Sequence, residues 1–304
     1  MKIAVIGPGA MGMLFGGYLS KENDVTMVGT RPAAMEQMKQ EGITITETDG
    51  SSAIYTPNAC ADTSGLGYMD LIILFVKASA SKSALDKNRH LISPDTILMT
   101  LQNGAGHENL LLQYVDADHV IIGTTQQGST KTSDNSIFHS GLGSSAFGAV
   151  NGHSERFNQI AEVFTACGFP SEVTDNVKYM IWNKLMINAS SSVLSGVLQV
   201  PQGYVEQDSY AWSIACSLIT ELCETATADG YPFDAKEQIA RLQKHLQAAP
   251  DGLTSIYADL KSGRRTEADF ITGAVVDAAR KHGILAPTHE LMLKLVHAME
   301  GRKQ

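Results

Sequence analysis

Cysteine is scarce in this chain, with four in 304 residues (Cys60, Cys167, Cys216 and Cys223), scattered and without a C-x-x-C pair. Neither a disulfide framework nor a zinc site is indicated, and reduced, mostly buried thiols in a cytoplasmic protein are expected. Basic residues are also in the minority: 23 against 32 acidic leave a net charge of −9, with no Lys/Arg cluster to offset it. Such a surface repels polyphosphate, so nucleic acid is not an expected partner. No apolar run is long enough to span a bilayer comfortably. The uncharged stretch 3–19 behind Lys2 resembles the apolar region of a signal peptide, but Gly7, Pro8, Gly9, Gly12, Gly16 and Gly17 break it, and neither targeting nor a membrane is expected. The motifs H-E-x-x-H and G-x-S-x-G do not occur, and His289 and His297 share a helical face without a convincing third ligand, so no metal site is expected.

What remains is the composition of a folded globular protein, 43% hydrophobic and 18% charged, at a length that suggests two domains. The first half alternates uninterrupted apolar strands (2–6, 24–28, 71–76, 97–101, 120–123) with helical segments (10–20, 32–40, 81–90, 107–114). Strands that read as continuous apolar runs are those covered on both faces of a parallel sheet. The pattern is that of a doubly wound Rossmann-type α/β domain, with an antiparallel extension of the sheet expected over 137–150 and a helix over 154–166. After Val173 strand signals vanish and helical periodicities run over 177–198, 210–228, 235–247, 267–281 and 289–299, so residues 1–172 are expected to form the α/β domain and 173–304 an all-α domain.

Gly7, Gly9 and Gly12 form G-x-G-x-x-G between the first strand and the first helix. The first glycine permits a tight turn, the second lets backbone approach a pyrophosphate, and the third allows close helix packing. The helix start adds N–H groups aimed at phosphate, so Gly7, Gly9, Ala10, Met11 and Gly12 are expected to bind a dinucleotide. At the end of the second strand, where an NAD enzyme carries an acidic residue for the ribose, the chain reads Val28, Gly29, Thr30, Arg31. With no carboxylate there, Arg31 and Thr30 suit the 2'-phosphate of NADP, and Pro32 should start the next helix with Thr30 near its cap. Lys77 and Asn103 follow two further strands and point to the same crevice, Lys77 to steer phosphate or a substrate anion and Asn103 to hold substrate or the nicotinamide of the cofactor; a solubilising lysine and an ordinary Asn-Gly turn are the plain alternatives.

Lys184 is the one charged residue between Tyr179 and Val205. Asn188, Ser191 or Ser192, and Ser195 follow it at three- and four-residue spacing, which puts a polar stripe on an apolar helix. Hydride reduction of a ketone creates a developing alkoxide that needs a proton donor, and a lysine ammonium can be that donor. A lysine snorkelling to the surface is the alternative. Farther on, Ser255, Arg264, Arg265, Glu267 and Asp269 make a polar stretch, in which Thr266 and Asp269 resemble a helix capping box.

Taken together, GPGAMG at the N-terminus, Lys77 after its strand, LQNG around Asn103, WNKLMINA around Lys184 and SGRRTEADFITG around Glu267 resemble the ketopantoate reductase (2-dehydropantoate 2-reductase) family over essentially the whole chain. The resemblance implies NADPH-dependent reduction of ketopantoate to pantoate in pantothenate and hence coenzyme A biosynthesis, with the site enclosed by a Rossmann domain and a helical domain. By position it makes Lys184 the general acid assisted by Glu267, gives Asn103, Asn188, Ser192 and Ser255 to substrate, and puts Arg31 and Lys77 on the cofactor side. Ser192 stands where the family commonly has a second asparagine, and Gln202-Gly203 replaces an asparagine-glycine pair. Another 2-oxo acid as substrate, or a non-catalytic NADP sensor, are therefore the alternatives. A small 2-oxo acid is the expected partner, with a homodimer left open.

Overall fold

The computed structural model describes residues 1–300, in two compact units. One comprises Met1–Gln102 and His107–Val177; the other comprises Asn103–Gly106 and the chain from Lys178 onward.

In the first unit the strands are β1 (Lys2–Ile6), β2 (Asp24–Val28), β3 (Ile43–Thr46), β4 (Ser52–Tyr55), β5 (Asn58–Cys60), β6 (Leu71–Leu74), β7 (Ile97–Thr100), β8 (Val120–Thr125), β9 (Gly128–Ser133), β10 (Ser136–Gly141), β11 (Ser145–Ala149) and β12 (Ser171–Val173). Its helices are α1 (Ala10–Leu19), α2 (Pro32–Glu41), α3 (Ser81–Lys87), α4 (Glu108–Leu111) and α5 (Asn158–Ala166).

The main sheet has the order β12-β11-β8-β7-β6-β1-β2-β5, parallel from β5 through to β8. Chain order reverses beside β1, which is the doubly wound arrangement, and ligands of such sheets sit beyond the carboxyl ends of the strands at that reversal. The apolar runs have the expected cause: Ile3, Ala4 and Val5 of β1 and Leu71 through Leu74 of β6 are at most 1% exposed, so both faces are covered. Phe15 on α1 stacks on Phe169 with ring centroids 4.2 Å apart and also contacts Phe75 and Phe164, which fixes α1 against the sheet. Residues 3–19, the stretch with signal-peptide character, are thus the central strand and first helix of this core.

The extension expected over 137–150 divides. β11 does pair antiparallel with β8 in the main sheet, but β10 belongs to a second sheet of order β4-β3-β10-β9. Periodicity does not reveal this sheet, because GSTKTS is polar throughout and the alternation in ITIT lasts only four residues. A polar chain ties it to α1: the Tyr18 hydroxyl donates to Glu47 (2.5 Å), and the ring nitrogens of the buried His139 lie 2.8 Å from Glu47 and from Gln127. Burial, and then the bond to Glu47, raise the Tyr18 pKa and keep its proton in place.

The second unit holds α6 (Val177–Ile187, whose first residue closes the first unit), α7 (Val193–Leu198), α8 (Gln202–Gln207), α9 (Ser209–Ala228), α10 (Ala235–Ala248), α11 (Ser255–Lys261), α12 (Thr272–Lys281) and α13 (Pro287–Glu300). Caps set several starts: Asp208 accepts from the N–H groups of Tyr210 and Ala211, and Asp234 from that of Glu237. α9 buries Ala211, Ala215, Leu218, Ile219, Leu222 and Ala226, a stripe at helical spacing. Among the described residues no helix is long and apolar enough to cross a membrane.

Two helical expectations change. The run 177–198 is interrupted between α6 and α7 by a π-helical turn, Asn188–Ser192. The helix expected from Glu267 begins only at Thr272, and the Thr266–Asp269 capping box does not form. Thr266 instead bonds Glu300 by both its N–H (2.8 Å) and its hydroxyl (2.7 Å), while Asp269 pairs with Arg265 and His297. Glu267 therefore sits in a turn and has no helix start to stabilise.

Candidate active site

The glycine loop leaves β1 with Gly7 at φ +110°, a left-handed conformation that side chains rarely adopt, and a Cβ there would lie 2.5 Å from the Val76 nitrogen. A Cβ on Gly12 would collide with the Gly7 carbonyl oxygen, so the third glycine is demanded by packing. Gly9 differs, because a Cβ there would meet nothing within 4 Å. Among the described residues no neighbour requires glycine at position 9, which fits a backbone kept bare for an incoming phosphate. Ala10 opens α1, its carbonyl accepting from Ser129 Oγ (3.2 Å), and Met11 packs against the core.

At the end of β2, Thr30 is exposed and Arg31 rather than Thr30 is the N-cap of α2, without a side-chain cap bond. The sequence reading finds no carboxylate next to Arg31, but the fold supplies one: Asp134 accepts from Nη1 (2.9 Å) and Nη2 (2.6 Å). Lys77 caps the short 3-10 turn after β6 and is exposed. The end of β6 is tied to that of β7 by Gln102, whose amide donates to the Val76 carbonyl (2.5 Å) and Ser81 Oγ (3.0 Å). In the sequence Gln102 is visible only as part of LQNG, without a sign of these partners.

The segment Asn103–Gly106 belongs to the helical unit. The Ala105 N–H donates to the Phe270 carbonyl (2.9 Å), and Gly104, at φ +104°, packs its bare Cα against the same carbonyl. Asn103 is thereby held beside the turn that carries Glu267.

Within this unit a pocket of about 190 Å³ is lined by Asn103, Lys184, Asn188, Ser192, Gln202, Thr254 and Ser255, with Ile256 and Ile271 as its apolar wall. All four residues given to substrate by resemblance, and Lys184, line it. Nothing in the local sequence marks Thr254 as a pocket residue, and Gln202 stands out only as a departure from the family's pattern.

The π turn explains which members of the polar stripe face the pocket. A regular helix overshoots a full turn by about 40° at each four-residue step, so Ser192 would drift about 80° from Lys184. Widening the turn at Asn188–Ser192 brings Lys184, Asn188 and Ser192 to one cavity. Ser190 and Ser191 turn back onto the carbonyls of Met186 and Ile187, and the buried Ser195 lies 3.4 Å from Thr254 Oγ1. Gln202 is placed by a helix stop. Gln199 adopts a left-handed conformation (φ 56°), Pro201 prevents continuation, and the N–H groups of Gln202 and Gly203 are fastened to the carbonyls of Gly252 (3.0 Å) and Pro250 (2.8 Å).

Burial lowers the Lys184 pKa from 10.5 to about 8, and the negative charge of Glu267 opposes that fall. Glu267 itself is partly buried and does not line the pocket. The two histidines considered for metal have other partners: buried His289 lies 3.0 Å from the Leu218 carbonyl, and His297 is 2.9 Å from both Asp269 and Glu300. Among the described residues no group of three or more His, Cys, Asp or Glu could hold a metal ion.

A Rossmann-type unit with a glycine loop, and a helical unit that buries one lysine in a small polar pocket, define a two-unit oxidoreductase. The chain belongs to the ketopantoate reductase family: the family model for ketopantoate reductase PanE/ApbA matches residues 3–152, and that for its C-terminal part matches 176–300. It is 31% identical to the 2-dehydropantoate 2-reductase of Pyrococcus horikoshii, covering 99% of this chain and 98% of that protein. Identity to the enzyme of that name from Halobacterium salinarum is 28%, over 97% and 98% of the two chains. Among solved structures, D-mandelate dehydrogenase with NADH and anilino(oxo)acetate superposes with a TM-score of 0.90 at 27% identity, over 99% of this chain and 98% of that one. The 2-dehydropantoate 2-reductase of Geobacter metallireducens, at 23% identity over 98% and 99% of the two chains, shares the fold with a TM-score of 0.88.

Proposed function

We propose that this protein reduces 2-dehydropantoate (ketopantoate) to pantoate with NADPH, Lys184 being the proton donor. The carrying observation is the single lysine of a small polar pocket, its pKa brought to about 8 by burial. A general acid works best with a pKa near the working pH, where it still holds its proton yet gives it up readily. When bound, a reduced nicotinamide supplies the hydride.

Lys184 Nζ transfers its proton to the carbonyl oxygen as negative charge develops there: an N–H bond breaks, an O–H bond forms, and the neutral amine recovers a proton from solvent. Glu267 keeps the ammonium form populated. Asn103, Asn188, Ser192 and Ser255 orient the oxo acid through its carboxylate and hydroxyl groups, and Ile256 and Ile271 exclude water from one side of the pocket. In the other unit, Gly7, Gly9, Ala10, Met11 and Gly12 take the pyrophosphate, while Thr30, Arg31 and Lys77 serve the adenosine end and its 2'-phosphate. The reading places the reaction in the cytoplasm.

A second reading, reduction of another 2-oxo acid, is favoured by Ser192 and Gln202, which both line the pocket. The likeness to D-mandelate dehydrogenase supports the same alternative. Mixing the purified protein with NADPH or NADH and a panel of 2-oxo acids, and following loss of the reduced nicotinamide, separates the two. Fastest turnover on ketopantoate supports the first reading, and turnover confined to another oxo acid replaces it with the second.

A further inference from the structure

Asp134 lies in the two-residue turn between β9 and β10, and the hydrogen bonds of its guanidinium partner span 103 positions of sequence. Arg31 offers it a fork of two parallel bonds, and Lys131 Nζ reaches the same carboxylate at 3.2 Å. Those contacts, the Arg31 bonds first, hold the Asp134 carboxyl below its usual range, so it stays charged at neutral pH. The turn is a fixed one. The buried side-chain amide of Asn135 donates to Glu41 and to the Gly42 carbonyl (3.1 Å each), and the main-chain carbonyl of Asn135 accepts from the Thr44 N–H (2.9 Å). At the other end of β9, Ser129 is fastened to Ala10 in the glycine loop. A carboxylate is therefore delivered by tertiary structure to the residue that sequence alone assigns to a 2'-phosphate.

We propose that Asp134 is a specificity-determining residue for the cofactor, occupying Arg31 and Lys131 in place of a 2'-phosphate and so narrowing the preference for NADPH over NADH. The inference rests on the reading that the glycine loop binds a nicotinamide dinucleotide. Asp134 holds the Nη1–Nη2 edge of the Arg31 fork, so a 2'-phosphate must either displace it or take the remaining Nε edge beside it. It then remains beside a carboxylate of like charge, in a cluster whose two cations and one anion leave a single positive charge. The 2'-hydroxyl of NADH makes neither demand.

The experiment measures the Kd of NADPH and of NADH by nicotinamide fluorescence on the full chain, for the wild type, Asp134→Asn and Asp134→Ala, at low and high salt. The Asp134 side chain is 41% exposed and, among the described residues, pairs with Arg31 and Lys131, so both variants are expected to fold. The expected result is a rise of about fivefold in the ratio of the NADH Kd to the NADPH Kd, the size set by removing one like charge in a solvent-exposed cluster. High salt should shrink that gain. An unmoved ratio in both variants, with the wild type binding both nucleotides, overturns the inference alone, as does a fall in the ratio, the outcome if Asp134 only orients Arg31. A wild type that binds neither nucleotide overturns the nicotinamide reading and this inference with it.

Discussion

The Thr254 hydroxyl donates to the Ser192 carbonyl, 3.2 Å away, while accepting from the Tyr257 N–H at the start of α11. One side chain thus caps a helix and holds the π turn that brings Ser192 to the pocket. Thr254→Val should lose both bonds, lowering stability by about 1–3 kcal/mol from a lost cap and a lost buried hydrogen bond. The KM for the oxo acid should rise more than kcat falls, and Thr254→Ser should retain most of both; thermal unfolding and steady-state kinetics on the three proteins check this.

The pKa of Lys184, about 8, sets the alkaline limb of activity. A proton donor must be charged, so kcat/KM should hold at lower pH and fall as pH rises through about 8. Stability should move the other way. The folded pKa lies below the ordinary 10.5, so between the two values the unfolded chain binds the proton that the folded one has released, and unfolding free energy rises with pH there. Replacement by methionine should remove that rise, a difference that denaturant titrations of the two proteins at pH 7 and pH 10 would reveal.

Glu267→Gln removes the charge that supports the ammonium form of Lys184. The alkaline limb of kcat/KM should then shift to lower pH, with a smaller loss of rate at acidic pH than at neutral pH. A limb that does not move would assign Glu267 a structural part only.

The three glycines of the loop should fail differently on replacement by alanine. Gly12→Ala meets the Gly7 backbone and should destabilise the protein by several kcal/mol or prevent folding. Gly9→Ala meets nothing and should keep the wild-type Tm while weakening nucleotide binding at least tenfold. Thermal unfolding alongside NADPH titration distinguishes them; a Gly9→Ala protein that binds normally would contradict the role given to the bare backbone.

Features written in local sequence were legible in advance. β1 and β2 match their expected bounds, because a doubly covered strand needs an unbroken apolar run, and the breaks between elements come from Gly, Pro and capping residues. The pocket's Lys184 and Asn188 were legible because one charge on an apolar helix needs a partner. Features made by tertiary contact were not. The second sheet is built of strands four to six residues long with few apolar residues in each, the π turn has no periodic signature, and Thr254 gains its significance only by meeting Ser192. Asp134 is the clearest case: nothing around position 134 marks it as the partner of Arg31, and only the pairing of β9 with β10 puts it there.

The central claim is that Lys184 delivers the proton in ketopantoate reduction, and the direct test is the turnover number of Lys184→Ala with ketopantoate and NADPH, with NADPH binding measured on the same preparation. The account predicts that binding persists while kcat falls by about 10² to 10⁴, the usual weight of a general acid. Turnover close to that of the wild type would contradict it.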